Sequence, residues 1–401
     1  GKGGEKDLAA AVEWFRKGAE LGEPNCQRMT ALSYAIYCPS DEQDLTAAIN
    51  WFDLSAQKED VVSLCYLGDI YSHRWPLFRD LIPEDMEKAF AYYLRAAECE
   101  FPKAQYLIGR LYEYQNRENF EPEYEKAISW YEKAAENDYL PAYRALGYCY
   151  LSGKGVEKDE SKALEWFYKA ARDGEGDIDA MFQIGRFNFY GKATEQNYKQ
   201  AFHWFSLAEQ GGDSDSCLFL GYMYNDGLYV EQDFTKALGF FQKAAEAGTP
   251  QAMGELGYIY YNGQGVEKDL PLAVEWFRKG AELGEPYAQR MTAYSYTDFC
   301  PKEEQDLNAA IYWFELAAKQ KDVDSLYKLG EIYSHRWPLF RNVVPKNIEK
   351  AVAYYMEAAE CGYPKAQFQI GRLYEYQDVP NFEPNYEKAM YWYEKAAENN
   401  Y

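Results

Sequence analysis

Residues 140–174 read LPAYRALGYCYLSGKGVEKDESKALEWFYKAARDG and carry the pattern that decides the fold. Ala142, Leu146 and Tyr150 follow one another at four-residue intervals, a spacing that places all three on one face of a helix. The glycines of the GKG turn that follows can adopt positive φ, which ends the helix. The first half of the segment therefore predicts an α-helix with one buried face.

The second half of this segment predicts another helix. Asp159 is placed to cap it, and Gly174 is placed to end it. Neither helix can bury its apolar face alone, so such units must stack on one another. The apolar stripe of the second helix consists of Ala163, Trp166 or Phe167, Ala170 and Ala171.

The same skeleton recurs along the whole chain: A-x-x-x-L-G-x-x-Y, a Gly-rich turn, an Asp, and K-A-x-x-W/F-x-x-K-A-A. It predicts an all-α protein, an α/α superhelical solenoid of about ten helix-turn-helix repeats that forms a single domain over 1–401. The predicted boundaries are a half repeat at 1–23, then 24–60, 61–101, 102–139, 140–175, 176–212, 213–248, 249–284, 285–322, 323–363 and 364–401.

A longer duplication is superimposed on these repeats. Residues 12–139, the first copy, align without gaps with residues 274–401, the second copy, at an offset of 262, and 89 of 128 positions are identical. A block duplication fits a protein whose repeats contact only their neighbours, because added units leave no global core to disturb.

Composition excludes several classes of partner. The chain has 401 residues, and 65 acidic against 42 basic residues give a net charge of −23. This balance argues against nucleic acid and against an anionic membrane surface, since both are bound through Lys and Arg. No run of about 18 apolar residues predicts a membrane-inserted helix. The 39 tyrosines are too many for a disordered acidic chain, so a fold must bury or stack them.

No motif predicts catalysis, a metal or a cofactor. A P-loop, a G-x-S-x-G and an H-E-x-x-H are all missing, and the G-x-G turns at 153–155 and 263–265 follow helices rather than strands. The eight cysteines contain no C-x-x-C pair, and the three histidines lie far apart in sequence. We therefore predict that the protein is not an enzyme and holds neither metal nor cofactor.

The cysteines favour a reducing compartment. Cys26 and Cys65 of the first copy are replaced by Ala288 and Tyr327 in the second, whereas a disulfide framework would be retained pairwise. Free thiols predict a cytoplasmic protein. Two further cysteines recur between the copies, namely Cys38 and Cys99, which correspond to Cys300 and Cys361.

The recurring L-G-x-x-Y, G-x-G-V, K-A-x-x-W and K-A-A elements resemble the Sel1-like repeats, which are relatives of the tetratricopeptide repeat. The resemblance covers essentially the whole chain. It implies an α/α superhelix, a role as an adaptor or scaffold in protein assembly, and no catalytic residue. Some members have a pair of cysteines seven residues apart in every repeat and are linked to β-lactam binding; this chain lacks those pairs.

The resemblance also implies that the first helix of each repeat lines a concave face. Positions on that face are rich in Tyr and Arg, the residues favoured at binding hot spots, and predict a groove for a peptide or partner segment. The alternative is that the tyrosines stack on neighbouring repeats and the arginines pair with acidic neighbours. The predicted partner-binding residues are Tyr106, Arg110, Arg144, Tyr148, Arg186, Tyr222, Tyr258, Arg290, Tyr294 and Arg372.

Two repeats depart from the pattern. The sequence SHRWPLFR replaces the usual turn at 72–79 and at 334–341, and Pro76 and Pro338 prevent the helix from continuing. The insert either forms a lip on the groove or plugs the space that a longer turn leaves. The predicted lip residues are Arg74, Trp75, Phe78, Arg336, Trp337 and Phe340.

These observations predict a non-enzymatic protein-interaction scaffold. The alternative is a hydrolase or small-ligand receptor that uses acidic groups in the groove, for which a pocket with perturbed carboxyl groups would be typical. Self-association is a further expectation, because a solenoid without polar capping helices exposes apolar end faces.

Overall fold

The computed structural model describes residues 8–37, 43–114, 121–376 and 384–399. Regular structure within these ranges consists of 21 α-helices with short 3₁₀ and π turns. Consecutive helices pack on one another from α1 to α10 and again from α12 to α21. The all-α class and the helix-turn-helix pairing are thereby confirmed. Even-numbered helices are the first helices of the pairs, and odd-numbered helices are the second.

The chain forms two compact units, Gly1–Leu207 and Ala208–Tyr401, and each contains one of the duplicated copies. The single solenoid expected over 1–401 stays a prediction. The helices that begin in the N-terminal unit are α1 (Leu8–Glu20), α2 (Pro24–Leu32), α3 (Leu45–Ala56), α4 (Val61–Tyr71), α5 (Met86–Glu98), α6 (Pro102–Tyr114), α7 (Tyr124–Glu136), α8 (Leu140–Ser152), α9 (Glu160–Ala171), α10 (Ile178–Tyr190) and α11 (Tyr198–Gln210).

The C-terminal unit repeats the same arrangement of paired helices. Its helices are α12 (Asp215–Asp226), α13 (Phe234–Glu246), α14 (Pro250–Asn262), α15 (Leu270–Glu282), α16 (Pro286–Ser295), α17 (Leu307–Lys319), α18 (Val323–Tyr333), α19 (Ile348–Glu360), α20 (Pro364–Tyr376) and α21 (Tyr386–Glu398).

Most of the predicted start and stop signals lie at the ends of helices, but the predicted stop at Gly174 is wrong: α9 ends at Ala171, and Arg172 caps it in a left-handed conformation with φ 44°. The carboxylate of Asp159 accepts a hydrogen bond from Lys162 N at 2.9 Å and caps α9. Gly153 ends α8 with φ 71°, and Gly155 has φ 72°, a left-handed conformation that favours glycine. The same Asp cap recurs at second helices, at Asp44, Asp85, Asp233, Asp269 and Asp306.

A glycine on the first helix meets an aromatic ring on the second. A Cβ atom added to Gly147 would lie 2.7 Å from Cε1 of Phe167, so only glycine allows this approach. The contact explains why a glycine recurs at this position in eight of the first helices. The equivalent pairs are Gly68–Tyr93, Gly109–Tyr131, Gly185–Phe205, Gly221–Phe241, Gly257–Phe277, Gly330–Tyr355 and Gly371–Tyr393.

Where the ring in this contact is tyrosine, its buried hydroxyl needs a partner. Tyr131 donates to Glu113 at 2.7 Å, and Tyr93 donates to Asp69 at 2.7 Å. Burial and the adjacent carboxylate both raise the pKa of Tyr93, which keeps its hydroxyl a donor. Part of the high tyrosine content is therefore core packing with one internal hydrogen bond.

Candidate functional site

The surface formed by the first helices carries the predicted binding residues, and some of its arginines have structural partners. Arg144 bonds Asp177 at 2.9 Å, and Arg290 lies 3.3 Å from Asp322. Both aspartates cap the first helix of the following pair. These arginines therefore link consecutive first helices, as the acidic-neighbour alternative expected. Arg28 makes the same contact with Asp60.

A second row of aspartates lies two residues beyond these caps. Asp179 accepts a hydrogen bond from the Tyr148 hydroxyl at 2.8 Å, and Asp324 accepts one from the Tyr363 hydroxyl at 2.7 Å. Burial and then Asp179 raise the pKa of Tyr148, so the phenol remains a donor. Sequence reasoning missed these aspartates, although the D-x-D spacing at 177–179 and 322–324 was a usable signal.

The predicted tyrosines differ in exposure. Tyr106 is buried between the rings of Tyr131 and Tyr139, with centroids 5.7 and 5.5 Å away, because three aromatic side chains meet there. Its ring is therefore not available to a partner in the predicted groove. Tyr148 and Tyr258 remain 36% and 40% exposed.

The other two predicted tyrosines are half-buried. Tyr222 donates to Glu255 at 3.1 Å. Tyr294 packs its ring 5.3 Å from Phe314 and 6.4 Å from Trp337. Both therefore contribute to packing as well as to the surface.

Arg110 and Arg186 differ from the linking arginines. Arg110 bonds the Tyr106 hydroxyl at 3.3 Å and lies 4.6 Å from the ring centroid of Tyr114, which is 56% exposed. Arg186 bonds the Gln183 side chain at 3.2 Å. No carboxylate of the described ranges pairs with either guanidinium. A cavity of about 60 Å³ beside Arg186 is lined by Leu151, Glu160, Gln183, Phe187, Tyr190 and Lys192.

The predicted residues divide between the two units. Tyr106, Arg110, Arg144, Tyr148 and Arg186 lie on α6, α8 and α10, three first helices of the N-terminal unit. The C-terminal unit has the other five. Tyr222 lies on α12, Tyr258 on α14, Arg290 and Tyr294 on α16, and Arg372 on α20.

The inserts are largely packing elements. Phe78 and Phe340 are completely buried, so neither ring can belong to a lip. Trp75 packs 4.9 Å from Phe78 and 5.3 Å from Tyr66, and Trp337 packs 4.9 Å from Phe340. These four rings fill the space that the longer turn leaves, as the second of the two predicted roles of the insert expected.

Arg74 and Arg336 of the inserts are exposed and contact different partners. The Arg74 Nε lies 3.4 Å from the carboxylate of Asp69, whereas Arg336 donates to the neutral side chain of Gln369. Of the insert residues predicted to contact a partner, these two arginines keep the greatest access to solvent.

Two carboxyl groups of the C-terminal unit have perturbed acidity. Burial is the first cause that raises the pKa of Glu255 and of Glu285, and each is further raised by a neighbouring carboxylate. Glu285 also accepts bonds from the backbone N–H groups of Tyr287 and Ala288, and so caps α16.

Other chemistry can be stated for the described ranges. They contain no group of three or more His, Cys, Asp and Glu side chains arranged to hold a metal ion. None of their helices has both the length and the apolar character to cross a membrane. Seven cysteines are free thiols there, and Cys38 lies outside the described residues.

Comparison with known proteins agrees with this architecture. A crystal structure of a protective antigen of uropathogenic Escherichia coli with an SLR fold is 29% identical, has a TM-score of 0.74, and covers 96% of this chain and 79% of its own. A Sel1 repeat protein from Oxalobacter formigenes is 28% identical with a TM-score of 0.56, over 63% of this chain and 96% of its own.

A curated relative is the chitin synthase regulator SKT5 of Saccharomyces cerevisiae. It is 26% identical over 214 residues, which are 52% of this chain and 30% of that regulator. This chain therefore matches less than a third of that relative's length.

The Sel1 repeat model matches eleven segments that together span nearly the whole chain, and Sel1 repeats generally mediate protein binding. The matched segments are 1–23, 26–60, 61–101, 102–139, 140–175, 178–213, 214–249, 250–285, 286–322, 323–363 and 364–401. The chain belongs to the Sel1 repeat family.

Proposed function

We propose that the protein is a non-enzymatic scaffold that binds a peptide or partner segment on the first helices of its N-terminal unit. The observation that carries the proposal is the division among the arginines. Arg144 is engaged by the cap of the next first helix, whereas Arg110 and Arg186 have only neutral partners in the described ranges. Arg110 and Arg186 are the proposed anchors.

The chemistry around these anchors suits an extended segment. A guanidinium can donate two parallel hydrogen bonds to a carboxylate or bond a peptide carbonyl. Tyr114 and Tyr148 supply partly exposed rings on neighbouring first helices, and a rigid aromatic surface loses little side-chain entropy on binding. Family membership supports the same role, since Sel1 repeats mediate protein binding.

The test is a random 12-residue peptide library selected on the full chain, followed by fluorescence anisotropy of the enriched peptide. Charge reversal at both anchors, R110E with R186E, should weaken binding at least tenfold, because each loses a charge-assisted bond and adds repulsion.

The matched control reverses two exposed lysines on second helices, K133E with K169E, and changes the net charge equally. This control should bind as the parent chain does. Equal affinity in the anchor variant and the parent would refute the assignment of the site.

A second candidate function rests on two carboxyl groups of the C-terminal unit whose pKa is raised. Glu255 and Glu285 are the groups that a hydrolase or small-ligand receptor would use. Both already accept internal hydrogen bonds, from Tyr222 and from the backbone of α16. Hydrolysis of a panel of ester and glycoside substrates that disappears in both E255Q and E285Q would favour this candidate over the scaffold.

Self-association through the outermost helices is part of the scaffold proposal. Large apolar side chains are exposed on α1 and α21, including Trp14 at 70% and Tyr386 at 73%. Light scattering after size exclusion should show a mass that rises with concentration; a monomer at every concentration would count against end-to-end contact. Cytoplasmic localisation stays a prediction.

A further inference from the structure

A cavity of about 280 Å³ lies within the second copy, between the insert, α19 and α20. Its polar lining consists of Ser334, Arg336, Lys346, Tyr355, Gln369 and Arg372, and its remaining lining residues in the described ranges are apolar. Among the described lining residues, three are cations and none is a carboxylate, in a chain whose net charge is −23. Such a lining favours an anionic occupant.

In the first copy, the residues equivalent to Tyr355 and Arg336 of the cavity are Tyr93 and Arg74, and both contact a carboxylate. There the buried carboxylate of Asp69 accepts the Tyr93 hydroxyl at 2.7 Å and the Lys103 ammonium at 2.8 Å. Arg74 of the insert lies 3.4 Å from the same carboxylate. Within the first copy, a phenol and an insert arginine thus converge on an internal carboxylate.

The second copy keeps the phenol and the arginine but directs its own carboxylate elsewhere. Glu331, which stands at the position of Asp69, pairs with Lys328 at 2.7 Å. Lys328 stands where the first copy has Tyr66. The internal acid is therefore neutralised by a residue that the first copy lacks.

The phenol of Tyr355 and the guanidinium of Arg336, whose equivalents contact Asp69 in the first copy, line the cavity in the second copy. The Tyr355 hydroxyl shares a hydrogen bond with the Ser334 hydroxyl at 3.2 Å, and Arg336 bonds the amide of Gln369. Lys346 is exposed at the mouth and replaces Glu84 of the first copy, which changes the local charge by two. Phenol, guanidinium and ammonium are again together, without an internal carboxylate among the described lining residues.

We propose that this cavity binds the carboxylate of an acidic side chain in a peptide held by the protein. The carboxylate would take the role that Asp69 has in the first copy, with Arg336 and Tyr355 as its donors and Lys346 as the charge at the entrance. This inference rests on the proposed peptide-binding function, and it assigns to the C-terminal unit a preference for acidic segments.

The test uses the full chain and a defined probe, the capped tripeptide acetyl-Glu-Glu-Glu-amide. The thermal midpoint is measured against probe concentration at constant ionic strength, because a ligand that binds only the folded state raises that midpoint. The midpoint should rise and saturate with this peptide. The uncharged acetyl-Gln-Gln-Gln-amide should leave it unchanged.

Two substitutions of Lys346, at the entrance of the cavity, test whether the tripeptide binds there. The variants K346E and K346M should weaken the apparent affinity for the glutamate tripeptide at least tenfold, with K346E the weaker. K302E reverses an exposed lysine of the same unit that does not line the cavity, and it should retain the parent affinity.

Three results would overturn the proposal: no saturation by the glutamate tripeptide, equal affinity in the parent and K346E, or saturation by inorganic phosphate without saturation by the tripeptide. Arg110 and Arg186 belong to the other unit, so failure here removes this cavity as a site. The anchor-variant experiment then still decides the proposed function on its own.

Discussion

The two copies share the insert SHRWPLFR letter for letter and differ in the charges around it. In both copies the phenylalanine is completely buried and the tryptophan packs on it with ring centroids 4.9 Å apart. These two rings form a plug that both copies share. Beside it, the Tyr93 hydroxyl and the Lys103 ammonium of the first copy donate to Asp69. In the second copy, the equivalent acid Glu331 pairs with Lys328 instead. Packing of the insert rings is common to the two copies, whereas substitutions of polar residues around the insert change which groups the internal carboxylate binds.

The difference shows how a duplicated repeat can acquire a binding site without a change of fold. A few substitutions, such as Tyr66 to Lys328 and Glu84 to Lys346, redirect one internal carboxylate and leave a cationic cavity. The helix pairs themselves keep the same contact between glycine and aromatic ring.

The largest effect is expected from removing the shared plug. Phe78→Ala and Phe340→Ala should each reduce the local free energy of unfolding by about 3–5 kcal/mol, because a fully buried ring leaves a cavity. Hydrogen exchange of α4 and α5, and of α18 and α19, reports each loss separately.

A control for the plug is Leu77→Ala, at a side chain that is 40% exposed, with an expected cost below about 1 kcal/mol. Unequal losses in the two copies, by more than about 2 kcal/mol, would show that packing is not the shared cause.

The next effect should separate the copies. Asp69→Asn should cost roughly 2–3 kcal/mol, since Lys103 loses its part-buried carboxylate partner and Arg74 loses its own. Glu331→Gln should cost about 1 kcal/mol or less, because it breaks one more accessible pair with Lys328. Hydrogen exchange in the same helices measures both, and equal costs would contradict the difference described between the copies.

A smaller effect tests the contact that the copies share. Gly330→Ala should cost about 1–3 kcal/mol, because its added Cβ would lie 2.5 Å from the Tyr355 ring, and Gly68→Ala should behave alike. Chemical denaturation of the full chain gives the comparison.

The control for this contact is Gly239→Ala in α13, where an added Cβ meets nothing within 4 Å. It should raise stability by up to about 1 kcal/mol through helix propensity. A neutral Gly330→Ala would mean that the ring can move aside.

The smallest effect concerns how stability depends on pH at two equivalent helix caps, Glu23 of α2 and Glu285 of α16. The two dependences should have opposite signs. A backbone hydrogen bond lowers the pKa of Glu23 in the first copy, whereas burial raises the pKa of Glu285 in the second, where Gly254 of α14 packs against it. The contribution of Glu285 is present below the pKa of an unfolded glutamate, about 4.3, and is lost as pH rises through the folded value.

Glu23 behaves in the reverse way: its contribution is present above the unfolded pKa and is lost as pH falls through the folded value. The thermal midpoint of E285Q relative to the parent should therefore rise between pH 4 and 7. The thermal midpoint of E23Q relative to the parent should fall as pH rises through the acid range. Parallel pH profiles would contradict the assignment of the two shifts.

The fold was predictable because each of its determinants is local and periodic. Gly147, Gly153 and Asp159 act within one helix pair, so their spacing alone indicates a close approach, a stop and a cap. The arginine contacts are different, since Arg144 meets an aspartate 33 residues further on, in the next repeat. Only an alignment of repeats that included the D-x-D spacing could have indicated that pairing.

The remaining differences depend on side chains that the repeat pattern does not constrain. Tyr106 has the helical position of a surface residue, and the rings of Tyr131 and Tyr139 bury it. The cavity of the second copy follows from Lys328 and Gln369, which replace other residue types of the first copy beside an unchanged insert. Identity of the insert alone suggested a shared role and could not reveal this divergence.

The most direct test of the central claim is hydrogen exchange of the full chain with and without the library-selected peptide. Binding at Arg110 and Arg186 should slow exchange in the first helices α6, α8 and α10 and leave the second helices α7 and α9 unchanged. Protection confined to the second helices, or to the outermost helices α1 and α21, would contradict the account.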